Sequence, residues 1–322
     1  MPELPEVETV RRELESKILN KPIQSVEIRE AMILRHSHLD LETIAYENQF
    51  SSIKRIGKLL QFFLADGKHV ILAHLKMTGQ FLYIEQGEVH AGIFPLLYAS
   101  TPGGKKSAGN FRENQLQQIG SVSPFKVPGV RDGAQDSPFD KHTHLIFHFI
   151  DGSMLAYRDV RKFGYLTLIH QKDLDEVNAK YGPDPLHENY SLENFQQAFK
   201  NRKKSVKGVL MDQSLIAGIG NIYADEICHR TGIRPTKSSL RLRKKDKQAM
   251  YEASKDILNN AINKGGTTMR DFARSDGSAG NFAFELQVYS RQGSPCLRCS
   301  KGIIKKIVHN QRGTHYCSNC QK

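Results

Sequence analysis

Two cysteine pairs near the C-terminus, Cys296-Leu297-Arg298-Cys299 and Cys317-Ser318-Asn319-Cys320, restrict this chain more than any other feature. Seventeen residues separate the pairs, a spacing that brings two chelating turns together around one tetrahedral ion. The expected ion is a single structural zinc. Four thiolates fill its coordination sphere and leave no open position for catalysis, and the metal holds a small β-hairpin that could not otherwise bury a core. Between the pairs lie Lys301, Lys305, Lys306, His309, Arg312 and His315. Such a basic hairpin suits phosphates, and Arg312, near the expected tip, is best placed to reach a substrate. The fifth cysteine, Cys228, stands alone in a helical stretch, and this usage fits an intracellular protein.

The totals point the same way. Lys and Arg number 46 against 34 acidic residues, a net charge of +12 with a pI near 9.4, which favours a polyanionic partner such as nucleic acid. A length of 322 residues with 39% hydrophobic content supplies cores for two domains. No apolar run approaches the roughly 18 residues of a membrane span, and no signal-peptide pattern opens the chain, so a soluble protein is expected.

At the other end the chain reads Met1-Pro2-Glu3-Leu4-Pro5-Glu6-Val7-Glu8. An initiator methionine before proline is normally trimmed, which leaves Pro2 as a secondary amine. An α-amino group has an unperturbed pKa of about 8, so an appreciable neutral fraction is available to attack a sugar carbon and form an iminium. Glu3 and Glu6 are carboxylates within reach of its protons. Proline at position 5 suits the first turn of a helix running to about Ile18, and acidic residues favour helix N-termini for electrostatic reasons alone, so both readings of Glu3, Glu6 and Glu8 stand at this point.

Further along, Ile23 to Ile28 and Ile53 to Leu64 read as strands, the second carrying Lys58, which in an alternating strand is ordinarily an outward, solvated residue. His69 to Tyr83 reads as a strand pair, with His74 and Met77 as core or rim residues. From about residue 86 to 141 Gly, Pro, Ser, Asn and Gln displace any periodicity, the mark of an insertion. His142 opens a hairpin, Leu145 to Ile150 returning through Asp151-Gly152-Ser153 to Met154–Tyr157. Arg158-Asp159-Val160-Arg161-Lys162-Phe163-Gly164 follows, an aromatic beside cations that suits nucleic acid or a surface turn with one buried ring. One leading helix and several strands give a β-sandwich up to about residue 172. Residues 173–189, with Gly182-Pro183-Asp184-Pro185, have linker composition, and 190–285 are helical. There Asn201-Arg202-Lys203-Lys204-Ser205-Val206-Lys207 is cationic, and in Ala217-Gly218-Ile219-Gly220-Asn221-Ile222-Tyr223 the glycines allow a tight turn, Asn221 caps the next helix, and exposed N–H groups offer an anion site. Lys244 to Asn263 is a further helix, and a polar loop runs from Lys264 to about Asn281.

Taken together, Pro2-Glu3-Leu4-Pro5-Glu6, the Asn221 turn and the four-cysteine hairpin resemble the bacterial formamidopyrimidine-DNA glycosylase family over nearly the whole chain outside the insertion. The resemblance implies an α+β architecture: a catalytic β-sandwich over 1–172, a linker over 173–189, a helix-two-turn-helix module over 190–285 and a zinc finger over 286–322. It implies excision of oxidised purines, 8-oxoguanine and formamidopyrimidines, from double-stranded DNA, followed by cleavage at the abasic site. Pro2 would attack C1′, Glu3 would be the acid/base partner supported by Glu6, Lys58 would assist proton transfer, and Arg312 would take part in the second of two eliminations. Met77, Arg161 and Phe163 would fill the hole left by the everted base, Arg161 facing the orphaned cytosine. His74, His142, Lys162, Lys203, Asn221 and Arg312 would meet the DNA, and the loop with Thr267, Thr268, Met269, Arg270 and Phe272 would cover the lesion. A monomer in the bacterial cytoplasm is expected. Position 78 is threonine, in a region where lesion-contacting residues vary. Two rivals remain: the sister family that excises oxidised pyrimidines, disfavoured by Leu4 and by the Met77, Arg161 and Phe163 set, and a DNA-binding protein without catalysis.

Overall fold

A computed structural model describes residues 2–35, 37–86, 139–267, 275 and 280–322. The sequence expectations for Thr268, Met269, Arg270 and Phe272, and for nearly all of the insertion, lie outside the described residues.

Helix α1 (Leu4–Ile18) opens the chain with proline in its first turn. It is followed by strand β1 (Ile23–Ile28), the short α2 (Leu41–Ala45), and strands β2 (Phe50–Ile56), β3 (Leu59–Leu64), β4 (His69–His74), β5 (Gly79–Ile84), β6 (Thr143–Phe149), β7 (Met154–Asp159) and β8 (Tyr165–His170). These form two four-stranded antiparallel sheets, ordered β1-β6-β7-β5 and β2-β3-β4-β8. Val7, Val10, Leu14 and Ile18 line one face of α1 and join Phe50, Phe62, Phe81, Phe147 and Tyr157 in a single core. Each such side chain contributes about 1.5–3 kcal/mol by leaving water.

Ile53 to Leu64 is not one strand. Gly57 takes φ +56° and turns the chain between β2 and β3, which places Lys58 in the turn, where it is buried rather than solvated. Every residue of β3 is buried, because α3 (Leu174–Asn178) and Tyr181 cover Leu59 and Phe63 on the outer side of the sheet. That second cover is invisible to a pattern of alternating residues. Likewise β4 and β5 do not pair with each other: β4 lies between β3 and β8, whereas β5 pairs with β7, so the turn after His74 crosses from one sheet to the other.

The helical part comprises α4 (Leu192–Ala198), α5 (Val206–Leu210), α6 (Asn221–Thr231) and α7 (Lys244–Asn263). On α7, Met250, Ala253, Ile257, Leu258 and Ala261 recur at helical spacing and pack on Ile227 and Cys228 of α6. The C-terminal hairpin, β9 (Ile304–His309) and β10 (Arg312–Cys317), pairs in register from His309 opposite Arg312 to Ile304 opposite Cys317. Among the described residues no helix is long and apolar enough to cross a membrane.

Candidate active site

The N-terminus of α6 has an anion in front of it, and that anion belongs to the protein. Glu3, 1% exposed, accepts from the backbone nitrogens of Ile222 at 2.9 Å and Tyr223 at 3.4 Å. The first turn of a helix leaves such N–H groups without internal partners and concentrates positive potential there. Asn221 was expected to cap this helix. Instead Gly220 is the N-cap position and Asn221 the first helical residue, because the carboxylate of Glu3 already satisfies the free donors. Space also demands glycine here: a Cβ on Gly220 would lie 2.3 Å from the Glu3 carboxyl carbon. The backbone reinforces the junction, Leu4 N donating to Gly218 O at 3.1 Å.

Glu6 lies one turn further in. It accepts from Glu3 N at 2.7 Å, from the Tyr223 hydroxyl at 2.6 Å and from Thr267 N at 2.8 Å. Burial, and then the charge of Glu3, push its pKa above the ordinary carboxyl value, which makes it a group able to hold a proton. Thr267, read from sequence as facing the lesion, is buried against this pair, its hydroxyl 3.0 Å from that of Tyr223. Buried Lys58 donates to Ile219 O at 3.1 Å. Burial pulls its pKa below the ordinary lysine value, although the charges of Glu3 and Glu6 oppose that pull. A lysine with a lowered pKa beside a carboxyl with a raised one is suited to exchanging protons.

The turn that carries Lys58 is held by a buried clamp absent from the sequence reading. Arg55 donates to Asp184 at 2.6 and 3.2 Å, to Gly57 O at 2.8 Å and to Glu8 at 3.0 Å. Asp184 also accepts from Gly57 N at 2.7 Å. Burial alone would raise the Glu8 carboxyl, but Arg11, Arg55 and Arg12 hold it at about 2. Asp184 sits in Gly182-Pro183-Asp184-Pro185, which has the composition of a loop, and a lone acidic residue between prolines is the one signal the sequence offers.

At one corner of the sandwich, Arg161 brings Met77 and Phe163 together. Its Nη1 is 3.2 Å from the Met77 sulfur and its guanidinium sits 4.6 Å from the centre of the Phe163 ring. Phe163 is 47% exposed, a large apolar ring offered to solvent. Lys162 pairs with Glu30. Lys203 is exposed and His142 partly so. His74 is half-buried; burial, then the charges of Lys76 and Lys58, take its pKa down to about 3. Because Lys76 N donates to its Nδ1 at 3.0 Å, the proton of the neutral ring sits on Nε2, which is left as a donor.

The hairpin docks on α6 through a second buried cluster. Lys207 reaches Asp225 at 2.8 Å, Thr314 Oγ1 at 2.9 Å and Gly313 O at 3.2 Å, and Asp225 accepts from His315 N at 2.8 Å. His315 therefore faces inward, contrary to its assignment to the basic surface. Asn221 Nδ2 donates to Gly313 O at 3.1 Å, which fixes the backbone beside the exposed Arg312. The sulfurs of Cys296 and Cys320 are 3.8 Å apart and those of Cys299 and Cys317 3.7 Å, and all four lie within 4.8 Å of one another. A tetrahedron of Zn–S bonds of about 2.3 Å has edges of about 3.8 Å, so these cysteines fit one structural zinc.

A β-sandwich with its leading Pro-Glu element set on a helix N-terminus, a helical module and a four-thiolate hairpin define a zinc-finger DNA glycosylase. Comparison with known proteins gives the particular family. A model of the formamidopyrimidine-DNA glycosylase N-terminal domain matches residues 1–166, one of that enzyme's H2TH domain matches 181–273, and one of a zinc finger found in FPG and IleRS matches 293–322. A formamidopyrimidine-DNA glycosylase of Streptococcus pneumoniae is 34% identical over 325 aligned residues, covering 100% of this chain and 99% of that one. Lactococcus lactis Fpg bound to DNA with an abasic site superposes with a TM-score of 0.78 at 31% identity, covering 99% of both chains. A mutant of the same enzyme bound to DNA containing Fapy-dG gives 0.78 at 31% identity, covering 100% of both. The chain belongs to the formamidopyrimidine-DNA glycosylase family.

Proposed function

We propose that this protein is a bifunctional glycosylase and abasic-site lyase of base excision repair, which removes oxidised purines, 8-oxoguanine and formamidopyrimidines, from double-stranded DNA. The observation that carries this reading is the Glu3 carboxylate held on the N-terminus of α6, with buried Lys58 bonded to the same turn and Pro2 directly preceding Glu3. With Met1 removed, the nitrogen of Pro2 attacks the sugar C1′; the C1′–N bond breaks and its electron pair leaves with the base. Sugar opening gives an iminium between Pro2 and C1′. Glu3, supported by Glu6 and aided by Lys58, moves protons at the sugar. Loss of the C2′ proton then expels the 3′ phosphate, and a second elimination, assisted by Arg312, expels the 5′ phosphate and leaves a one-nucleotide gap.

In this reading Met77, Arg161 and Phe163 occupy the space of the everted base, His142, Lys162, Lys203, Asn221 and Arg312 meet the DNA backbone, and His74 also contacts the DNA. The loop with Thr268, Met269, Arg270 and Phe272 covers the lesion, and buried Thr267 anchors its start on Glu6 and Tyr223. The domain bounds given above, a monomeric state and action on nucleoid DNA in the bacterial cytoplasm belong to the same proposal. The name shared by the relatives and the abasic-site and Fapy-dG complexes of the L. lactis enzyme support it.

The test is borohydride trapping on a duplex with one 8-oxoguanine opposite cytosine, followed by mass spectrometry of the N-terminal peptide. The expected product is an adduct on Pro2. Trapping only on an oxidised-pyrimidine duplex would assign the protein to the sister specificity. Tight binding without trapping on either duplex, by protein with a free Pro2, would overturn the catalytic reading.

A further inference from the structure

We infer that Thr78 is a positioning residue that locks two separate loops into one rigid wedge. The inference rests on the proposal that Met77, Arg161 and Phe163 fill the vacated base site. Met77 lies in the connection from β4 to β5, Arg161 and Phe163 in the connection from β7 to β8. Because β4 pairs with β8 in one sheet and β5 with β7 in the other, both connections cross between the sheets at the same corner. Adjacency follows from this topology, but rigidity needs specific bonds.

Those bonds converge on Asp159. Its side chain accepts from the Thr78 hydroxyl, from Arg161 N at 3.1 Å and from Gly164 N at 2.7 Å, and its carbonyl accepts from Lys162 N at 3.3 Å. The Thr78 oxygen in turn accepts from Arg161 N at 3.1 Å. Thr78 is 5% exposed and Asp159 0%, so these bonds work without competition from water. Thr78 is thereby a buried link between the loop that bears Met77 and the loop that bears Arg161 and Phe163, beside the surface contact of Arg161 with Met77.

The backbone of both loops needs such support. Lys76, just before Met77, has φ +50°, and Lys162, between Arg161 and Phe163, has φ +53°. Side chains rarely adopt this region, and it persists where surrounding bonds over-determine it. Both loops also end on a glycine pressed to Tyr157: a Cβ would lie 2.7 Å from its hydroxyl at Gly79 and 1.9 Å at Gly164. A wedge that displaces a stacked base must already hold its shape when it enters the helix, since any freedom it loses on insertion weakens it.

The test is Thr78→Val, which preserves shape and removes the hydroxyl, with Thr78→Ser as the conservative rescue. Two single-turnover rates are compared: excision from an intact 8-oxoguanine duplex, which requires eversion, and cleavage of a preformed abasic site, which has no base to evert. The expected result is that Thr78→Val lowers the ratio of excision to cleavage about tenfold, and that Thr78→Ser restores it. An unchanged ratio, or equal loss of both rates with a lower melting temperature, would overturn the inference. Phe163→Ala in parallel separates it from its premise. If Phe163→Ala leaves the ratio unchanged, the wedge reading has failed; if it lowers the ratio and Thr78→Val does not, only the positioning role has.

Discussion

Glu3 Oε1 lies 2.9 Å from the backbone nitrogen of Ile222, so an acidic side chain at the start of the first domain serves as the N-terminal anion of a helix in the second. This bond sets the carboxylate where its remaining charge faces Glu6 and Lys58, whose pKa values it pushes upward. Geometry of this kind makes the placement of Glu3 dependent on α6 behind it.

Gly220→Ala should uncouple that arrangement. The new methyl would collide with the Glu3 carboxyl, whose carbon would be 2.3 Å away, and the side chain is the part free to move. Stability should fall by about 1 kcal/mol as the helix loses its anion, while base excision falls at least about tenfold and zinc content stays the same. Thermal melting, metal analysis and single-turnover excision test this; wild-type excision would show that the position of Glu3 is not critical.

Lys58→Met should stabilise the protein and abolish efficient excision. A buried cation costs folding energy, and the lowered pKa of Lys58 gives the sign. Below its folded pKa the lysine is charged in both states and the full cost is present. As pH rises from there towards the unfolded value of about 10.4, the folded state releases its proton first and the cost fades. The variant's advantage, on the order of 1 kcal/mol, should therefore shrink as pH rises through that window. Urea unfolding at several pH values measures it, and an advantage that grows with pH would contradict the assigned direction.

Arg55→Met should be among the more damaging single changes. It leaves Asp184 and Glu8 buried without the guanidinium that joins them, and breaking a buried pair in this way costs about 3–5 kcal/mol. A loss below about 1 kcal/mol in equilibrium unfolding would mean that Gly57 N and the other arginines satisfy these carboxylates unaided.

Cys317→Ser should lose zinc and DNA affinity together. Cys317 has its sulfur 3.7 Å from that of Cys299, and the hairpin depends on the metal for its shape. Affinity for a damaged duplex at fixed salt should drop at least about tenfold. Zinc-free protein that binds normally would detach Arg312 and its hairpin from recognition.

Local chemistry accounts for what was legible in the sequence. The cysteine spacing announced a four-thiolate hairpin, the periodicity of Lys244 to Asn263 marked α7, and alternation with a turn at Asp151-Gly152 marked the β6–β7 hairpin. Pro2, Glu3 and Lys58 stand out in the sequence by their chemistry and by the family resemblance. The parts of Asp184, Thr78 and Asp159 are not legible there, since each acts through partners distant in sequence: Arg55 and Asp184 meet across 129 positions, Thr78 and Asp159 across 81. Periodicity and spacing carry no record of such meetings.

The sequence by itself therefore determined α1, α7, the β6–β7 hairpin and the metal ligands, because helix capping, strand alternation and chelate spacing act over a few neighbouring residues. Only the tertiary structure decided which donors Glu3 satisfies, that Lys58 is buried rather than solvated, and that Met77 stands beside Arg161. Those outcomes depend on how two sheets cross and how a helix N-terminus meets the start of the chain, and burial and charge perturb a titrating group only once distant segments have closed around it.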